Sequence, residues 1–411
     1  AIAYLIRRLE ENASQENFMS AVFELADDRG LFDRERARYG LTMSDQDLAA
    51  EFLRRLEAAR DGQLQQFADQ PVSNVSDLSV RRRRATAEDV TAAMTDGGVV
   101  RGYPMRGTVF AVHADDLAWM GELLRPKFGT DLARRRAAQG VDEATVALVR
   151  DTALAALDGP TRSTVADVPD PGLGLTRAEL AGRWDEAGVE MTSARSYHFI
   201  STMMIEGHLV YGPWDAEAKE QRIVAASTWL PADSGLAARF GGDRVAAIAH
   251  WLRTYLTSHG PATLRDFAWW TKLGLTEIRT AAPAATEGLA ETTVDGQAAW
   301  CRPEVLEAGE DLLRAADRAM LLPGFDELVL GYQDRGFLLT PAEHDATVPG
   351  NNGVFRGLAL DRARPLGTWR RAGSGRRRRL ELTRFEGGRA VPKRAEAAFE
   401  RAFEAHPWLA P

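Results

Sequence analysis

The chain has 411 residues, more than one ordinary hydrophobic core holds, so two or three sub-domains are expected. Its 45 % hydrophobic and 27 % charged residues exclude a disordered chain, and no apolar run reaches the roughly 18 residues of a membrane helix. The single cysteine, Cys301, excludes an internal disulfide and a cysteine-based zinc site. The start, AIAYLIRRLEENASQ, lacks the basic, apolar, small-residue order of a signal peptide, which points to a bacterial cytoplasm. The net charge is −8 but unevenly spread: Arg81 to Arg84 form one basic block, and Arg370, Arg371 and Arg376 to Arg379 form another. Such runs are either solvated faces or local positive potential for an acidic partner.

In chain order, IAYLIRRLEEN, NFMSAVFELADD and DQDLAAEFLRRLEAARDGQLQQF carry apolar residues at helical spacing, with Ser44 able to cap the third. Pro71 and the arginine block follow in a loop or helix entry. The segment TAEDVTAAMTDGGVVRGYPMRGTVFAV (86–112) reads as a helix capped by Thr86, ended by Gly97-Gly98, then two strands around a turn. A helical pair follows at 130–158, then a linker rich in Pro, Gly and Asp. The same helix, turn, helix and hairpin pattern returns at 176–213 and at 262–301, the latter led by a long amphipathic helix, 243–257. From 318 the pattern changes: RAMLLPGFDELVLGY, GVFRGLALD, RPLGTWRR and RRLELTRFE read as strands, and a helix at 393–405 closes the chain.

A helix-turn-helix followed by a hairpin is a winged helix, whose usual partner is duplex DNA. The expected fold is therefore α+β, with tandem winged-helix domains and a C-terminal β-domain. The boundaries expected are 1–85 helical, 86–160 first winged helix with a helical extension, 161–230 second, 231–317 third, and 318–411 β-domain with a basic hairpin.

Four pieces occur in a fixed order: Met105-Arg106-Gly107-Thr108 in the first wing, LLPGFDE at 321–327, Gly353-Val-Phe-Arg356, and Gly367-Thr-Trp-Arg370. With GPATLRDFAWWTKL between them, this set resembles the AlkZ/YcaQ-type winged-helix DNA glycosylases over roughly 85–405. The resemblance implies a C-shaped protein acting on double-stranded DNA that contains an alkylated purine. It implies a Gln-Φ-Gln or Gln-Φ-Asp catalytic motif upstream of the first wing. No cofactor and no metal are expected. A monomer is expected.

Alkylation at purine N7 already makes the base a good leaving group. What remains is to stabilise an oxocarbenium-like sugar and hold a water near C1′, which amide oxygens or one carboxylate can do. Gln63-Leu64-Gln65 matches the motif letter for letter, a few residues further upstream than the family spacing; Phe67-Ala68-Asp69 stands at that spacing. The catalytic candidates are thus Gln63, Gln65 and Asp69, with the alternative that this glutamine-rich helix end is solvated surface. The DNA-binding candidates are Arg106 and Thr108 at the wing turn, Phe110, and Arg356, Arg370, Arg371, Arg376 and Arg377 around the C-terminal hairpin, whose tip AGSGRRRR suits a minor groove. Phe110 stands where the family pattern has histidine; it either stacks on an adduct or belongs to the core of the wing. Asp326-Glu327 reads as holding a turn or helix start rather than as paired catalytic carboxylates. His198, His208, His250 and His259 lack metal-ligand spacing.

The function expected is a monofunctional DNA glycosylase that hydrolyses the N-glycosidic bond of N7- or N3-alkylated purines, including bulky natural-product adducts or crosslinks. The alternative is a non-catalytic winged-helix protein that regulates transcription or sequesters adducts. Winged units used only for protein contacts are a third reading.

Overall fold

The computed structural model describes residues 92–158, 173–215, 220–294, 296–307, 318–322, 324, 326–351, 354–373 and 377–404. These fall into two compact units, divided between Ala247 and Ile248.

In the first unit, a helical turn at 92–95 leads into strand β1 (Val99–Met105) and strand β2 (Thr108–His113). Arg106 (φ 59°) and Gly107 (φ 66°) join them with two successive left-handed residues, the geometry of a tight hairpin turn. Helices α1 (Ala114–Ala138) and α2 (Glu143–Ala156) follow. Next come α3 (Arg177–Glu186), α4 (Ser193–Ile205), and strands β3 (Leu209–Asp215) and β4 (Glu220–Ala225). Thr176 starts α3 through a capping box with Glu179, so the Thr-x-x-Glu spacing in the sequence sets this helix end. The segment before α3 is tied to the hairpin by an antiparallel bridge, Leu175 to Ile223.

The sequence read the hairpins of 86–112 and 176–213 as separate wings, and the structure corrects this. Arg101 of β1 pairs with Tyr211 of β3, which joins both hairpins in one sheet of order β2-β1-β3-β4. β1 is thus paired on both edges, and Val100 to Met105 are all buried.

Every residue of α4 from His198 to Ile205 is buried. The side chains of Phe199, Met203 and Ile205 join Trp184 of α3, Val149 of α2 and Tyr211 in one core, and Trp184 Nε1 donates to Val149 O at 2.9 Å. The last two turns of α4 therefore cannot lie in a groove, although a second helix of a helix-turn-helix ordinarily does. Only the Ser193–Tyr197 end of α4 reaches the surface.

His198 is the titratable member of this buried stretch. Burial, then the Arg136 and Arg135 guanidiniums, lower its pKa from 6.5 to about 4. The unfolded chain thus binds one more proton than the folded chain between about pH 6.5 and pH 4. Stability is complete above that window and falls as the pH drops through it, by roughly 2–3 kcal/mol. Denaturant unfolding of wild type and His198→Gln at pH 7.5 and 4.5 checks this: the variant loses less stability on acidification. An equal loss in both proteins would remove His198 as the cause.

Short helices α5 (Ala226–Trp229) and α6 (Leu236–Phe240) lead to α7 (Arg244–His259), within which the unit boundary falls.

The second unit continues with α8 (Leu264–Thr271), α9 (Leu275–Thr286), strands β5 (Ala290–Val294) and β6 (Gln297–Cys301), and α10 (Pro303–Glu307). Thr263 and Asp266 make the capping box of α8, and Lys272 (φ 68°) ends it. Ala262 bridges Trp300, and a Cβ on Gly260 would stand 2.4 Å from Trp300 O, so only glycine fits where the chain leaves α7. Ile278, Ala281, Ala282 and Ala285 face inward on α9, while Thr276, Arg279 and Thr280 face out.

Beyond it, strand β7 (Ala319–Leu322), helix α11 (Glu327–Leu330), helix α12 (Pro341–Thr347), strands β8 (Gly357–Asp361), β9 (Arg364–Ala372) and β10 (Arg379–Arg384), and helix α13 (Lys393–Glu404) complete the unit. The sequence read RAMLLPGFDELVLGY as strand throughout. Only Ala319–Leu322 is strand, because Asp326 accepts from Leu328 N at 2.9 Å and starts a one-turn helix. The sheet order is β10-β9-β8-β7. One face carries Leu366, Trp369, Leu380 and Leu382 against Ala395, Phe399 and Phe403 of α13. The other carries Leu358 and Leu360 with Val329, Leu339 and Phe355.

Candidate nucleic-acid interface

The β9–β10 hairpin carries an arginine-rich segment. Residues 370–384 hold seven arginines and one glutamate, in a chain of net charge −8. The pairing register explains how the hairpin presents them. Leu382 opposite Trp369 and Leu380 opposite Arg371 line the face toward α13, so the alternate pairs, Glu381 with Arg370 and Arg379 with Ala372, face away. Arg370 is 77 % exposed and sits 2.6 Å from Glu381; Arg379 reaches the same carboxylate at 2.7 Å. Glu381 neutralises one of these two cations and fixes both on the outer face. Arg377 is exposed at the tip, Arg371 is half-buried on the inner face, and Arg376 lies outside the described residues.

Arg356 is exposed but anchored: its backbone donates to Thr347 O and its Nη1 to Ala346 O, both at 3.0 Å, so it closes the C-terminal end of α12. Arg106 is half-buried, and its turn folds back toward α1, where Phe128 lies 3.7 Å from a Cβ built on Gly107. Thr108 beside it is exposed. Phe110 is 4 % exposed in β2, opposite Gly102. Its ring belongs to the core of the sheet and offers no face to a base, which corrects the stacking reading. Gln63, Gln65 and Asp69 lie outside the described residues.

Asp326 is a helix cap, as its sequence context suggested, and Glu327 instead faces His259, Oε2 to Nε2 at 3.4 Å, with Ser258 Oγ 2.8 Å from His259 Nδ1. All three side chains are enclosed, so this group supports the turn between α7 and α8 rather than reaching a substrate.

Sequence reading missed a polar seam inside the first unit. Arg101, 2 % exposed, donates through Nη1 to Gln221 Oε1 at 2.7 Å, and its guanidinium lies 4.9 Å from the centre of the Tyr211 ring. Burial lowers the Arg101 pKa, opposed by Tyr211 and Tyr103. Tyr103 Oη is 3.2 Å from Tyr197 Oη, and burial raises the Tyr103 pKa well above 10. The sequence signal was a lone arginine in the apolar strand VVRGYPM.

Residues 62–406 match the family described as DNA glycosylase AlkZ-like. The chain belongs to the AlkZ-like DNA glycosylase family. Its activity is that of a DNA glycosylase, and its substrate is DNA. Among solved structures, the Streptomyces sahachiroi DNA glycosylase AlkZ is similar, with a TM-score of 0.61 and 19 % identity over 91 % of this chain and 97 % of that one. At that identity the likeness is one of fold. No curated protein sequence matches. No helix among the described residues is long and apolar enough to cross a membrane.

Proposed function

We propose that this AlkZ-like enzyme is a monofunctional glycosylase for N7- or N3-alkylated purines in duplex DNA, including bulky natural-product adducts and crosslinks, and that it serves repair or self-resistance. The observation that carries the reading is the family match beginning at residue 62, which takes in both Gln63-Leu64-Gln65 and Asp69. No lysine stands in either register, so a water rather than an amine attacks C1′. The cationic base leaves without a strong general acid. Amide oxygens of Gln63 and Gln65, or the Asp69 carboxylate, stabilise the oxocarbenium-like sugar and orient the water.

The arrangement we infer is a C-shaped monomer of winged-helix units, with segments 1–85, 86–160, 161–230, 231–317 and 318–411, in which the hairpins of the second and third segments share one sheet. Two helix–turn–helix–hairpin successions, each with a bridge from the entry strand to the hairpin, support it. Duplex contact comes from Thr108 and Arg106 at the first turn and from Arg356, Arg370, Arg376 and Arg377 around the hairpin, with Arg371 bracing its inner face.

The test is incubation with a duplex carrying one N7-alkylguanine, followed by mild alkali and a gel. Strand scission at the lesion is expected. Intact strands across N7- and N3-alkylated substrates would reject this substrate class.

A further inference from the structure

The loop between α11 and α12 holds an aromatic side chain at the surface that the fold does not need. Phe337 is 49 % exposed. A solitary surface phenylalanine is ordinary, but the support under this one is not. Tyr332 Oη donates to His259 O at 2.6 Å, and Gln333 N donates to Asp266 Oδ1 at 2.9 Å. Leu338 N and Leu339 N both donate to Arg335 O, at 2.9 and 2.8 Å. Arg335, 7 % exposed, donates through Nε to Val329 O and stacks between Trp269 and Phe355, 4.8 and 5.2 Å from the ring centres. Phe337 meets Tyr332 edge-on, with centroids 5.2 Å apart. The loop is thus bonded at both flanks and plugged by a buried cation, and Phe337 is presented on a rigid base.

The neighbouring helix completes a surface of stated chemistry. Arg265 and Trp269 stand one turn apart on α8, and Lys272 Nζ lies 4.9 Å from the centre of the Trp269 ring. Arg265 and Lys272 are exposed and Trp269 is half-exposed. The loop carries one exposed carboxylate, Asp334, which accepts from Gly336 N at 2.8 Å. Cations interleaved with aromatic rings suit a polyanion that also offers π-faces.

We propose that this ledge is a second DNA contact, in which Phe337 wedges against a base step while Arg265 and Lys272 take the flanking phosphates. A rigidly held apolar side chain can partly unstack a step and so bend the duplex toward the protein. The proposal rests on DNA as the substrate and not on the class of lesion.

Unmodified duplex containing 2-aminopurine tests it, because binding and unstacking are then read without base release. Wild type binds and raises the 2-aminopurine fluorescence. Phe337→Ala weakens binding about tenfold and abolishes the rise without changing the salt dependence, and Phe337→Trp restores both. Lys272→Gln weakens binding on every sequence and lowers the slope of log affinity against log salt by about one. Melting temperatures stay at the wild-type value, since the ring is at the surface. Phe337→Ala that binds and fluoresces as wild type would overturn the wedge, as would wild type with no duplex affinity. Unchanged DNA binding together with a dimer-to-monomer change in light scattering would instead make the ledge a contact between copies of this chain. Failure to release an alkylated base, with the Phe337 dependence intact, would reject the lesion class alone.

Discussion

Replacing Gln63 or Gln65 with alanine lowers the single-turnover rate of base release about 10²–10³-fold, while affinity for the lesion duplex stays within about twofold. The reason is differential binding. An amide oxygen aimed at a sugar that becomes positive only in the transition state contributes to the chemical step and little to the ground-state complex. Asp69→Ala separates the two registers. If Asp69 holds the water, its alanine variant carries the same large loss and Gln63→Ala is nearly silent. If Gln63 and Gln65 hold it, Asp69→Ala changes the rate less than about threefold. Wild-type rates in all three variants would remove the motif from catalysis and leave the glutamine-rich helix end as solvated surface.

The second large effect is on stability. Gln221→Leu destabilises the first unit by about 3 kcal/mol, because it strips an enclosed guanidinium of an acceptor and leaves the Gly212 carbonyl without its amide donor. For a unit of this size that is a fall of about 6–12 °C in melting temperature. Arg101→Met in the Gln221→Leu background restores part of the loss, since the pair is then replaced by apolar volume rather than broken. Differential scanning calorimetry of the two single variants and the double variant measures the coupling. A Gln221→Leu protein melting with wild type would show that Arg101 does not depend on this glutamine.

That seam also shows where sequence reading stopped. The pattern of VVRGYPM and TVFAVH predicts a hairpin, which is present, and assigns no role to Arg101. Pairing of β1 with β3 puts a second hairpin beside the first and encloses the guanidinium. Pairing across 110 residues of chain, Arg101 to Tyr211, has no local signature. His198 and Phe110 follow the same logic: α4 and β2 carry ordinary amphipathic patterns, and only the layers packed on them bury the histidine and withdraw the phenylalanine from any base.

The interface divides in the same way. The basic character of 370–384 is a property of the sequence, because charge is set by composition. The outward placement of Arg370 and Arg379 follows from two-residue alternation once Trp369 and Leu382 are assigned inward. The Phe337 ledge was not legible at all. AWWTKL and DRGFLL are both unremarkable apolar-polar mixtures, and they become one surface through Asp266 to Gln333 and Trp269 to Arg335.

By itself the sequence determined the family, the start of the helical segments near 176 and 262, the strands β8 to β10 and the basic hairpin. Each of these depends on residue identity at short range: Thr-x-x-Glu or Thr-x-x-Asp caps, two-residue alternation, and arginine runs. Tertiary structure alone decided that two hairpins form one sheet, that the end of α4 is core rather than a reading helix, and which rings face solvent. Those depend on what packs against each element from distant parts of the chain, and burial of that kind has no short-range code.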